Sequence, residues 1–70
     1  MADAILIEFG QRVKALRLKK KLSQAALAEM SGFDRNYIGM IERGERNPSL
    51  KNLKKYADVL GLSLSELMRF

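Results

Sequence analysis

Apolar residues along this chain recur at intervals of three and four. Ile5, Phe9, Val13 and Leu16 fall on one face of a segment running from about Asp3 to Lys20, a spacing that predicts an amphipathic helix. Gly10 lies inside that segment and weakens it slightly. A second helix is expected from Ser23, a good N-cap, through Gln24, Ala25, Ala26, Leu27, Ala28, Glu29 and Met30 to a stop near Gly32. A third starts with Asp34 as cap, turns Ile38 and Ile41 inward and ends at Gly44. A fourth follows Asn47-Pro48 with Ser49 as cap, puts Leu50, Leu53, Ala57 and Leu60 on one side and ends at Gly61. The fifth starts at Ser63. Glu66 three residues later completes a capping box, with Leu62 and Leu67 at the flanking staple positions. Gly32, Gly44 and Gly61 each sit where the periodicity stops, so each is expected to close a helix with φ > 0. No segment alternates with period two and strand formers are sparse. The expected fold class is all-α, five short helices with tight connections.

Composition narrows the chemistry. Seventy residues make one domain, spanning 1–70. With no cysteine and no histidine, the chain lacks disulfides, thiolate metal ligands, the commonest general base and the commonest zinc ligand. No catalytic triad, metal cluster or glycine-rich phosphate loop is visible, so neither an enzyme nor a cofactor is expected. No apolar run approaches the ~20 residues of a membrane span. The segment Met1 to Phe9 has Asp3 and Glu8 but no basic side chain, unlike a secretory signal. The expected compartment is the cytoplasm. The net charge of +5 and a pI of about 9.9 suggest a polyanionic partner, nucleic acid before an anionic membrane.

The most informative stretch is Ser23 to Gly44. Two short helices are separated by Ser31-Gly32-Phe33, a glycine-containing turn of the kind a helix-turn-helix requires. Ala28 is small enough to let the second helix cross the first closely. Ile38 and Ile41 give the second helix an inward edge, which leaves Arg35, Asn36, Gly39 and Met40 to point outward. Such a polar N-terminal face can lie in the major groove.

The run LSQAALAEMSGFDRNYIGMIERGERNPSL resembles the Cro/C1-type, phage-repressor-like helix-turn-helix family, and within it the controller proteins of restriction–modification systems. The likeness extends from Phe9 to Leu67. It is carried by Arg17, Ser23-Gln24, Leu27-Ala28, Ile38, Ile41-Glu42-Arg43-Gly44 and Asn47-Pro48-Ser49. It implies a lambda-repressor-like DNA-binding domain with its motif at about 23–44. By the same resemblance, Asp34, Arg35, Asn36 and Tyr37 begin the recognition helix where base contacts lie, and Met40 is a further groove-facing position. Ser23, Gln24, Gly39, Arg43, Arg46 and Asn47 fall at backbone-contacting positions, and Arg17 with Glu42 forms an ion pair tying the first helix to the third. Arg35 also has the planar fork that suits guanine O6 and N7. The chain departs from the family pattern at Ala26, where Glu is frequent, and at Met40, which cannot hydrogen-bond a base edge.

One copy reads only a short half-site. The fifth helix offers Leu64, Leu67, Met68 and Phe70, an apolar end that predicts a homodimer; the competing reading makes Leu64 and Leu67 core residues. The expectation is a transcription regulator that binds double-stranded DNA at a near-palindromic operator as a homodimer. The controller resemblance implies control of its own promoter, activating at low occupancy and repressing at high. A chain of 70 residues leaves little room for a ligand-sensing domain, so neither a small-molecule ligand nor a membrane is expected as partner. The alternative is an antitoxin-like or other protein-interaction module on the same fold. Tyr56 is expected to pack with its hydroxyl in water. The basic run Arg12, Lys14, Lys19, Lys20 and Lys21 reads as a solvated face, with phosphate contact as the alternative.

Overall fold

The computed structural model describes residues 3–70. It has five helices: α1 Ala4–Lys19, α2 Gln24–Ser31, α3 Arg35–Glu42, α4 Leu50–Leu60 and α5 Leu64–Leu67. Helices α2 to α5 start at the expected caps, and Asp3 caps α1. The side chains of Asp3, Ser23, Asp34, Ser49 and Ser63 each accept a backbone N–H of the first turn, which satisfies a donor that has no partner inside the helix. Ser23 caps through the N–H of Ala26 at 3.0 Å, so α2 starts soundly without the glutamate frequent in the family. The capping box between Ser63 and Glu66 is complete.

Helix ends follow the same local logic. Gly32, Gly44 and Gly61 all have positive φ. Gly44 and Gly61 lie in Schellman turns, closed by Glu45 N–H to Met40 O at 2.8 Å and Leu62 N–H to Ala57 O at 2.8 Å. The end of α1 uses the same turn without a glycine. Lys21 takes φ 59°, and Leu22 N–H reaches back to Arg17 O at 3.1 Å.

The core collects Phe9 and Val13 of α1, Leu27 of α2, Ile38 and Ile41 of α3, Tyr56, Ala57 and Leu60 of α4, and Leu67 of α5. Helix α1 packs on α3 and α4, α2 on α3 and α4, and α5 on α4. Gly10 is a point of close approach rather than a weak spot. A Cβ there would stand under 3 Å from the backbone oxygens of Ile41 and Glu42, so the α1–α3 contact exists only because that residue has no side chain.

Several expectations change once the helices are packed. Ile5 is exposed, as is Leu50 at 70%, because each sits in the first turn of its helix beyond the edge of the core. Gly39 is buried instead of pointing outward, covered by the Arg43 side chain. Tyr56 is fully buried, with its hydroxyl out of water and without a hydrogen-bond partner. Its ring meets Phe9 edge-on at 6.1 Å and Phe33 at 5.1 Å. Leu67 is fully buried by its own chain and has no surface to offer a second copy. Leu64 is half-buried, while Met68 and Phe70 are exposed. Arg12 neither floats in solvent nor stands free for a phosphate: it donates to Glu66 O at 2.8 Å and Leu67 O at 3.4 Å, capping the carbonyl end of α5.

Candidate nucleic-acid interface

Helix α3 has two sides with different tasks. Its inner side buries Ile38 and Ile41 and carries Glu42, also buried. Glu42 receives a two-pronged bond from Arg17, Nε to Oε2 at 2.7 Å and Nη2 to Oε1 at 3.1 Å. The remaining Arg17 nitrogen, Nη1, donates to Leu22 O at 2.7 Å. Hydrogen bonding to Glu42 holds the Arg17 pKa above its already high ordinary value, so this cation is permanent. Gln24, the first residue of α2, adds an Nε2 bond to Glu42 Oε1 at 3.1 Å. A single carboxylate therefore joins α1, α2 and α3. Ion pairs of this geometry fix orientation, because misalignment of either helix would leave a buried charge without a partner.

The outer side of α3 starts with Arg35 and Asn36, both exposed. They lie in the first turn, beside the positive end of the helix dipole. Asp34 is committed to the cap, accepting Asn36 N–H at 2.7 Å. Met40 is half-buried. Arg43, the C-cap residue, is exposed and paired with Glu45, Nε to Oε2 at 2.8 Å and Nη2 to Oε1 at 3.2 Å. That bond lowers the Glu45 carboxyl pKa below its usual range.

Tyr37 sits between the two sides. It is half-buried, its ring 5.1 Å from that of Phe33. Its hydroxyl accepts a hydrogen bond from Asn52 Nδ2 at 2.9 Å, and its ring carries the Arg46 guanidinium at 5.3 Å. Asn52 reaches Tyr37 from α4, so helix α4 takes part in setting this surface. Asn47 is exposed and starts the turn before α4. The structure thus gathers Arg35, Asn36, Met40 and Arg43 along α3, with Tyr37 and Arg46 alongside as a stacked pair. It ties Gln24 to the ion pair. Phe33, Glu45 and Asn52 carry no helical-periodicity signal and are revealed only by their contacts; an aromatic residue in a glycine turn was the one hint for Phe33. Among the described residues no three Asp or Glu stand close enough to hold a metal, and no helix is long and apolar enough to cross a membrane.

A short helix capped by Asp34, crossed against another capped by Ser23 and locked to α1 through Glu42, is the helix-turn-helix arrangement. The helix-turn-helix family profile matches residues 13–67, and the chain belongs to that family, in its Cro/C1-type branch. Within it the chain is similar to control protein C.MunI of a Mycoplasma species, 48% identical over 64 residues that cover 90% of this chain and 86% of that protein. It is also 44% identical over 59 residues to the immunity repressor of Bacillus phage phi105, covering 84% of this chain but only 41% of the repressor. Among solved structures, the restriction–modification controller protein C.AhdI from Aeromonas hydrophila matches with a TM-score of 0.90 and 51% identity over 93% of this chain and 98% of that one. The controller protein C.Esp1396I, solved as a tetramer on its natural 35 base-pair operator, matches with a TM-score of 0.84 and 33% identity over 94% and 91% of the two chains.

Proposed function

We propose that the chain is a sequence-specific DNA-binding transcription regulator of the restriction–modification controller kind. It binds a near-palindromic operator as a homodimer and acts in the cytoplasm as a binder rather than a catalyst. The observation that carries this reading is the division of α3. Its inner side is locked by Ile38, Ile41 and the Arg17–Glu42 pair, and its outer side presents Arg35 and Asn36 at an exposed N-terminal end. A rigid helix with such an end is what major-groove reading needs. The solved C.Esp1396I tetramer on its operator supports the same partner here.

Arg35 and Asn36 read base edges, with Met40 and the rim of Tyr37 contributing apolar contact; Asp34 orders that first turn through its cap. Ser23, Gln24, Arg43, Arg46 and Asn47 grip phosphates. Gln24 spends one amide hydrogen on Glu42 and keeps a second for DNA. Gly39 contributes by staying small beneath Arg43. The dimer surface is Met68 and Phe70 with half-buried Leu64, continued by the exposed Ile5. Phe70, Met68 and Ile5 line one shallow cleft of about 140 Å³ with Leu6, Leu53 and Pro48. A protein-interaction module on this fold would have no use for the exposed Arg35–Asn36 end.

Selection from random duplexes at fixed, near-physiological salt tests this reading. A two-fold symmetric consensus with half-sites about one helical turn apart is expected. Absence of enrichment, with binding that only fades as salt rises, would overturn it.

A further inference from the structure

The Arg43–Glu45 pair lies on the surface assigned above to DNA, and it is built rather than incidental. Gly44 at φ +76° reverses the chain at the end of α3, and Glu45 N–H is fastened to Met40 O at 2.8 Å. The Glu45 backbone therefore cannot drift from α3. Its carboxylate meets the Arg43 guanidinium with both oxygens, at 2.8 and 3.2 Å. The guanidinium folds back over Gly39: a Cβ at that position would stand 3.0 Å from Arg43 Nη1. A methyl group at residue 39 would make the fork give way by a few tenths of an ångström. Both partners remain solvent-exposed, at 59% and 49% of their side-chain surface, so the pair can open without disturbing the core.

A carboxylate gripping an arginine fork has the geometry of a phosphate gripping the same fork. We infer that Glu45 is an internal phosphate mimic that competes with DNA for Arg43 and so restrains the affinity of the surface. On an arbitrary duplex, Arg43 exchanges one anion for another, which is close to an even trade, so this cation adds little to non-specific attraction. On the operator the same pair must open before Arg43 reaches its phosphate, so the cost of opening it is borne there too. Glu45 thereby withholds part of one cation's contribution from DNA in both modes. This rests on the DNA-binding reading above and adds a device that moderates its strength.

The test uses the whole chain, a pool of random-sequence duplexes and the duplex enriched in the selection. Glu45→Gln is expected to tighten binding to the random pool several-fold and to steepen its log K against log salt by about one, the value of one additional phosphate contact. The enriched duplex should gain at least as much, because the same pair must open there too. In an Arg43→Gln background the same Glu45→Gln change should do little. A separate readout needs no DNA: the Arg43 Nε–H resonance should be protected from solvent exchange in the wild type and lose that protection in Glu45→Gln. Equal gains in both backgrounds would reveal a plain through-space charge effect and overturn the inference, as would an affinity for either duplex that Glu45→Gln leaves unchanged. A wild-type protein that binds neither duplex would overturn the DNA-binding reading itself, whatever the Arg43 resonance shows.

Discussion

Arg17 and Glu42 stand 25 residues apart in sequence and meet inside the protein through two hydrogen bonds of 2.7 and 3.1 Å. Their side chains are 8% and 4% exposed, so neither charge has water to fall back on. Replacing one partner, as in Arg17→Met, should destabilise the domain by about 3–5 kcal/mol, because the other charge stays buried alone. The double variant Arg17→Met/Glu42→Leu should recover much of that loss. Urea unfolding of the wild type, Arg17→Met, Glu42→Leu and the double variant checks the pattern; additive losses would show that the residues do not act as a pair.

Gly10 tests the α1–α3 approach. Alanine normally improves a helix interior by up to ~1 kcal/mol over glycine. Here its methyl group would meet the backbone oxygens of Ile41 and Glu42, which cannot rotate aside as a side chain can. Gly10→Ala should therefore lower stability by about 1–3 kcal/mol, the usual cost of overpacking. A thermal melt at or above the wild-type midpoint would contradict the close approach.

Lys21 invites the opposite exchange. It holds φ 59° at the end of α1, a conformation that costs an ordinary residue roughly 1 kcal/mol relative to glycine. Lys21→Gly should stabilise the domain by about 0.5–1 kcal/mol, seen as a higher denaturant midpoint at unchanged slope.

Tyr56 buries a hydroxyl that no protein group bonds. Burial, and secondarily the negative charge of Glu42, push its pKa far up, so the phenol stays neutral at any pH at which the protein works. Tyr56→Phe removes only the unpaired oxygen and keeps the ring against Phe9 and Phe33. Stability should be unchanged or rise by about 1 kcal/mol. A loss of 2 kcal/mol or more on calorimetry would show that the hydroxyl has a partner after all.

Glu66 gives the acid limb of stability a local source. Backbone and side-chain hydrogen bonds with Ser63 hold its carboxyl below the usual range. A carboxyl depressed on folding contributes fully above its unfolded pKa of about 4.3, and loses that contribution as pH falls through the lower folded value. The wild type should therefore lose stability more steeply than Glu66→Gln between pH 5 and pH 3. Parallel pH–stability curves would show that the capping box does not titrate.

Four of the five N-caps, Ser23, Asp34, Ser49 and Ser63, the three positive-φ glycines and the Ser63–Glu66 box were legible in the sequence, since each is settled by bonds reaching no more than five residues along the chain. Family likeness added the Arg17–Glu42 pair, which helical spacing alone does not reveal. What the sequence left open were contacts between distant segments. Arg12 reaches Glu66 across 54 residues, Asn52 orients Tyr37 across 15, and Gln24 joins the ion pair across 18. Gly10 looked like a flaw in a helix and is the point where two helices touch. Tyr56 looked half wet, and Leu67 looked available to a second copy. A side chain's burial depends on which helices close over it, so only packing decided that both belong inside. Local hydrogen bonding wrote the helices into the chain, whereas the surface that meets a partner was decided by which residues packing left outside.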